Sequence, residues 1–193
     1  IEYIWTEGSM PEGYKLTDTS KNGTVTTLTN TYAPEKVSIT GTKTWDDANN
    51  QDGKRPTSIK INLLANGNVV KSLDVTAATN WNYSFTDLPK YEAGTEIKYT
   101  VEEEAVAGYE TKVEDYNITN THKSETTSIT GTKTWNDSDN QDGKRPESIT
   151  VRLLANGEEK DSQTVTADEN GNWTYSFENL PKYEAGKEIV YTV

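Results

Sequence analysis

The sequence has no cysteine, one histidine, one methionine and two phenylalanines. Without cysteine there are no disulfide staples, thiolate metal sites or cysteine nucleophiles. With His122 as its only histidine, the chain cannot assemble a histidine-dependent triad or a histidine metal cluster. No apolar run approaches the roughly 18–20 residues of a membrane helix, and no signal peptide is read. Positive charge is also scarce. Against 31 Asp and Glu stand 19 Lys and Arg, a net charge of −12, so neither nucleic acid nor an anionic membrane is an expected partner. The chain opens on Ile1 without a methionine, and a mature fragment or a window on a longer protein is expected.

What is present is strongly patterned. Only 32% of residues are hydrophobic and 26% are charged, which fits small sandwiches with large surfaces better than one large core. Five Trp and eleven Tyr sit inside alternating segments, which argues against disorder. "SITGTKTWDDANNQDGKRP" at 38–56 returns as "SITGTKTWNDSDNQDGKRP" at 128–146, and "LPKYEAGTEIKYTV" at 88–101 returns at 180–193 as "LPKYEAGKEIVYTV". The two offsets, 90 and 92, place a two-residue gain in the turn before Trp173. A period this long is one domain per repeat. "TLTNTY" at 27–32 matches "NITNTH" at 117–122, and Ile1, Tyr3 and Gly13-Tyr14 align with Ile97, Tyr99 and Gly108-Tyr109. The expected organisation is the last third of a repeat at 1–32, a linker at 33–36, a whole repeat at 37–122, a linker at 123–126 and the first two thirds of a repeat at 127–193.

Within the whole repeat, period-two alternation and turn chemistry predict strands at 37–45, 58–65, 69–75, 81–86, 96–103, 110–113 and 116–121. Seven short strands in some 85 residues predict an all-β, immunoglobulin-like sandwich. In the first strand Val37, Ile39, Gly41, Lys43 and Trp45 share one face, so a lysine points inward. The same alternation turns Glu103 and Asn120 inward, and the second copy places Lys133 beside Ile129 and Trp135.

Two outcomes fit such a trio. One is a buried Lys–Glu ion pair with Asn as a hydrogen-bonding neighbour, although buried pairs stabilise weakly and do not call for an amide. The other is covalent: amine and carboxamide condense to an isopeptide with loss of ammonia. Burial lowers a lysine pKa and raises a glutamate pKa, by as much as about 3–5 units when complete. Neutral Lys43 then attacks the Asn120 carbonyl while protonated Glu103 polarises it and shuttles protons. Fixed proximity contributes roughly 7–11 kcal/mol.

"TGTKTWDD…NQDGKRP", "YTVEE", "GY" and "ITNTH" together resemble the Cna B-type domains found in the stalks of Gram-positive surface adhesins and pili. The resemblance covers nearly the whole chain. It implies sandwiches of reversed topology in tandem, and an isopeptide between a first-strand Lys and a last-strand Asn assisted by a central acid. Those roles fall on Lys43, Asn120 and Glu103. In the N-terminal piece "YIWTEGSM" departs from the pattern, yet Glu7 and Asn30 occupy the matching positions. The implied function is a structural spacer, outside the cell and anchored to the cell wall as part of a longer protein. It needs no metal and no cofactor, and is not an enzyme beyond a single self-consuming turnover. Neighbouring repeats are its partners. The competing expectation is a β-sandwich that binds carbohydrate or a host protein through loops such as 46–56 or exposed aromatics.

Lys133 has no acid or amide of its own before Val193, whereas Glu7 and Asn30 have no lysine. The two partial repeats complete one sandwich, overlapping at 189–193 against 1–5. A four-residue linker reaches about 14 Å, against roughly 33 Å for a domain of ten-residue strands, so closure within one chain is not expected. If residues 1–193 are the whole protein, strand complementation between copies, bonding Lys133 to Asn30 under Glu7, is expected, whereas in a longer array the partners of both lie outside this chain. Other signals are weak. "DDANNQDGKRP" lacks EF-hand spacing and predicts a structural turn. Trp45 and Trp135 lie on the lysine face and are expected in the core, and Asn117-Ile118-Thr119 is an isolated sequon.

Overall fold

The computed structural model describes residues 3–193. The N-terminal hairpin pairs β1 (Tyr14–Asn22) with β2 (Val25–Tyr32). The next stretch comprises β3 (Lys36–Asp46), β4 (Ser58–Ala65), β5 (Asn68–Thr76), β6 (Asn82–Pro89), the two-residue strands β7 (Tyr91–Glu92) and β8 (Thr95–Glu96), β9 (Tyr99–Glu103), β10 (Glu110–Glu114) and β11 (Asn117–Thr121). A sheet ordered β10-β11-β3-β6 faces one ordered β5-β4-β9. Between them lie Ile39, Ile59, Ile61, Leu63, Val75, Phe85, Leu88, Val101 and Ile118, all buried. The first and last strands, β3 and β11, are neighbours and run parallel, with Ile118 opposite Lys43 and Asn120 opposite Trp45.

The third stretch repeats this plan with β12 (Thr126–Lys133), β13 (Ile149–Ala155), β14 (Glu158–Val165), β15 (Trp173–Pro181), β16 (Tyr183–Glu184), β17 (Lys187–Glu188) and β18 (Tyr191–Thr192). β12 pairs with β15, and β14-β13-β18 form the facing sheet over a smaller core of Leu153, Phe177 and Leu180. Tandem sandwiches of immunoglobulin type, almost wholly β, are therefore the architecture.

The alternation reading places most strands to within a residue or two. One predicted strand is broken. Instead of running from 96 to 103, the chain leaves the ladder at Ile97 and Lys98, where the Ile97 amide donates to the Lys90 carbonyl and the Lys98 amide to the Asn66 side chain. The strand expected at 81 begins at Asn82, because Trp81 sits at φ 60 in the preceding turn. That turn is a short 3-10 segment, Ala77–Thr79. Its lengthened counterpart is organised by Asp168, whose carboxylate accepts from the amides of Asn170 and Asn172.

The N-terminal stretch departs further. The alignment of Ile1 lies outside the described residues. Tyr3, Ile4 and Trp5, aligned with the inward-facing β9, are exposed and in no ladder, since among the described residues no counterpart of β4 lies beside them. Lys133 is likewise exposed instead of inward, because among the described residues no strand covers that face of β12 as β11 flanks β3.

Candidate functional site

Alternation delivers Lys43 from β3, Glu103 from β9 and Asn120 from β11 into one apolar interior. Lys43 is 3% exposed, Glu103 7% and Asn120 0%. The Lys43 Nζ lies 3.2 Å from Glu103 Oε1 as a buried ion pair. Beside it the Oδ1 and Nδ2 of Asn120 are buried without a hydrogen-bond partner. Buried polar groups are ordinarily paired, and each orphan costs about 1–3 kcal/mol. A carboxamide left wholly unpartnered next to an ion pair is therefore unusual.

The surroundings tune the trio. Burial pushes the Lys43 ammonium down to about 8, against the pull of the Glu103 carboxylate. The ammonium also stands 4.3 Å over the Trp45 ring, which packs edge-on against Trp81 and Tyr109. The other Glu103 oxygen, Oε2, accepts from the Thr111 hydroxyl at 3.0 Å. The sequence reading missed Thr111, because β10 shows no alternation of burial that would single it out. Gly41, two residues before Lys43, is fixed by contact: a Cβ there would lie 1.9 Å from the Tyr116 carbonyl and 2.6 Å from the Tyr83 ring. The Tyr83 hydroxyl donates to that same carbonyl, tying β6 to the β10–β11 turn.

The other two pairs of candidate residues fare differently. Asn30 donates through Nδ2 to both Glu7 carboxylate oxygens, at 2.9 and 2.8 Å, while its Oδ1 is buried and unpartnered. The amide and acid thus meet as expected. Lys133 is not brought to them; its Nζ donates to its neighbour's carbonyl, Thr134 O, at 3.0 Å and lies 4.4 Å from the Trp135 ring.

The "DDANNQDGKRP" loop is a structural turn with a further use. Burial disfavours the Asp47 charge, yet bonds from Arg55 (2.6 and 3.0 Å), the Asn50 amide (2.9 Å) and the Tyr109 hydroxyl (2.9 Å) hold its carboxyl below the usual range. Asp52, also buried, accepts from His122 Nε2 at 2.9 Å and from the Glu125 amide at 2.8 Å. Sequence reasoning missed this contact, since nothing in local periodicity links positions 52, 122 and 125.

Comparison with known proteins agrees with this fold. The Cna protein B-type domain family matches residues 39–121 and 129–193. A collagen adhesin of Staphylococcus aureus is 47% identical over 188 residues, covering 97% of this chain, and the chain spans 15% of that protein's length. The crystal structure of two B repeat units of the collagen-binding protein of Staphylococcus aureus is 47% identical, with a TM-score of 0.75 over 95% of this chain and 49% of that one. A single B repeat unit of the same protein is 46% identical, covering 82% of this chain and 84% of that one with a TM-score of 0.46.

Proposed function

Because this chain belongs to the Cna protein B-type domain family, we propose that it is the stalk of a bacterial surface adhesin, its whole repeat locked by a Lys43–Asn120 isopeptide bond formed under Glu103. The observation that carries this reading is the orphaned Asn120 carboxamide beside a buried ion pair in one sealed interior. An isopeptide removes the amine and the carboxamide as separate groups and leaves one amide N–H facing Glu103. A free ion pair leaves Asn120 unexplained.

The step balances without an external reagent. Neutral Lys43 Nζ attacks Asn120 Cγ, the new C–N bond replaces the bond to Nδ2, and Nδ2 leaves as ammonia carrying a proton from the amine through Glu103. With Lys43 lowered to about 8, the nucleophilic form is accessible near neutrality. The Thr111 hydroxyl orients the catalytic carboxyl. The chemistry consumes its own side chains, so each repeat reacts once and the module is structural.

Joining the first and last strands prevents their separation, so persistence outside the cell, in a cell-wall-anchored protein, is set by covalent chemistry instead of the unfolding barrier. The uncovered face of β12 with Lys133, and the Glu7–Asn30 pair on the β1–β2 side, suit completion of one sandwich by strands of a neighbouring repeat or of another copy. Copies complemented in that way give a denaturation-resistant ladder that Lys133→Ala removes. Wild type staying a single band at high concentration rules that arrangement out.

Intact mass under denaturing conditions is the decisive measurement for the lock. The chain should be lighter than its sequence by one ammonia, with Lys43→Ala keeping the full complement and Glu103→Ala leaving both reactants unjoined. Full sequence mass in a folded sample overturns the covalent assignment.

A further inference from the structure

His122, the only histidine of the chain, stands where the whole repeat passes into the linker. Its amide donates to the Asp46 carbonyl at the end of β3, and its ring lies 5.3 Å from the Tyr109 ring. The imidazole is held at both nitrogens. Nδ1 lies 2.7 Å from the Gly108 carbonyl oxygen and Nε2 lies 2.9 Å from Asp52 Oδ2. A carbonyl and an ionised carboxylate can only accept. A ring with one proton donates to one of them and presents a lone pair to the other, whereas the doubly protonated ring donates to both. The His122 side chain is 9% exposed and that of Asp52 1%, so little water reaches either to replace a lost contact.

Asp52 connects this ring to the next repeat. Its Oδ2 also accepts from the Glu125 amide at 2.8 Å, while its Oδ1 is buried without a partner, as is the Ser124 hydroxyl. The residues on either side of Asp52 both meet Gly186, in the turn between β16 and β17. The Gly186 amide donates to the Gln51 carbonyl at 2.9 Å, and a Cβ on Gly53 would lie 2.5 Å from the Gly186 Cα. The other charged and titratable groups around the ring are already engaged. Lys54 and Lys182 hold the Glu125 carboxylate at 3.0 and 3.1 Å, and the Tyr109 hydroxyl donates to Asp47. Among the described residues that leaves the imidazolium to compensate the buried Asp52 carboxylate.

We propose that this cluster is a pH-sensitive joint: protonated His122 locks the whole repeat against the one after it, and loss of that proton frees the two to swing. The sign follows from the donor count. In mild acid both ring bonds are made, Asp52 has its counter-charge, and the loop carrying Gln51 and Gly53 is clamped onto Gly186. As pH rises through the range of about 5 to 8 in which histidine titrates, one bond is lost and the carboxylate stays buried without its partner charge. The stalk is then stiff in acid and jointed in neutral surroundings, with neither repeat unfolding. Lys43 and Asn120 lie inside one repeat, so the device is independent of their bonding.

Two NMR measurements on the full chain test this: long-range 1H–15N spectra count the protons on the one imidazole, and water exchange reads the Gly186 amide. Between about pH 5.5 and about pH 8 the ring should pass from two N–H groups to one. Over the same interval the Gly186 protection, corrected for intrinsic exchange, should fall roughly tenfold or more, the worth of one charge-assisted bond. The Asn156 amide, which donates to the Val190 carbonyl within one repeat, should keep its protection throughout and in every variant. His122→Gln should flatten the Gly186 response. Lys54→Gln, which removes only the exposed pair with Glu125, should preserve it. A ring still singly protonated in mild acid, Gly186 protection that holds while the ring titrates, or a response that survives His122→Gln overturns the proposal.

Discussion

Replacing Asn120 by alanine removes the electrophile and leaves Lys43 free to titrate inside the fold. Its pKa there is about 8, against 10.5 when unfolded, chiefly because burial disfavours the ammonium. Below pH 8 both states carry the proton. Between the two values only the unfolded state does, so stability must rise with pH. From pH 8 to pH 10 the gain is about 2 kcal/mol, equivalent to roughly 10 °C in Tm for a domain of this size. Tyr83, pushed up to about 12 by burial and then by Glu103, acts in the opposite sense as pH nears 10 and the unfolded tyrosine ionises first, and Tyr99 and Tyr109, also raised by burial, do the same. These tyrosines are common to both proteins, so the difference between the two pH slopes reports Lys43. In a wild type bonded as proposed, Lys43 is an amide nitrogen and contributes no such rise. Urea titrations followed on the methyl signals of Ile61 and Leu63, both fully buried, read the whole repeat alone. Equal pH slopes in wild type and Asn120→Ala would refute the covalent assignment, and falling stability in Asn120→Ala would refute the desolvation reasoning.

Three further outcomes are expected. Gly41→Ala drives a Cβ into the Tyr116 carbonyl and the Tyr83 ring, costing about 1–3 kcal/mol or more by overpacking; thermal melting and a mass time course should show lower stability and slower ammonia loss. Thr111→Val takes the donor from Glu103 Oε2, so ammonia loss should slow while the final mass is unchanged; identical time courses would make Thr111 a bystander. With 31 acidic against 19 basic residues, the chain should pass unretained over DNA and anionic liposomes at physiological salt, and salt-sensitive retention of either kind would contradict the charge argument.

The parts of this molecule that alternation governs were legible from sequence. A strand with one buried face states its own orientation, so Lys43, Glu103 and Asn120 could be turned inward from residue order alone. What alternation does not encode is what lies across the sheet. Lys133 has the same local sequence as Lys43, yet it is exposed, since burial depends on a neighbouring strand and not on the strand's own pattern. Thr111 was invisible because every residue of β10 is exposed by its average, although one hydroxyl reaches inward. The break at Ile97 and Lys98 follows from a turn side chain, Asn66, competing for a backbone amide. The coupling of Asp52 to His122 and Glu125 joins residues some seventy positions apart, and pattern reading has no access to contacts between separately folded surfaces.

The parallel pairing of β3 with β11 carries a mechanical consequence. The polypeptide comes into the repeat at one pole and leaves at the other, so eleven residues of β3 advance the path by roughly 36 Å, and successive repeats lengthen a rod instead of folding back. With Lys43 joined to Asn120, tension passes from one strand directly to its neighbour, and residues 44–119 hang off the load path. Pulling then releases none of the length stored in them. A train of such repeats behaves as a cable of fixed length, unlike a chain of sandwiches that absorbs a tug by unravelling one at a time.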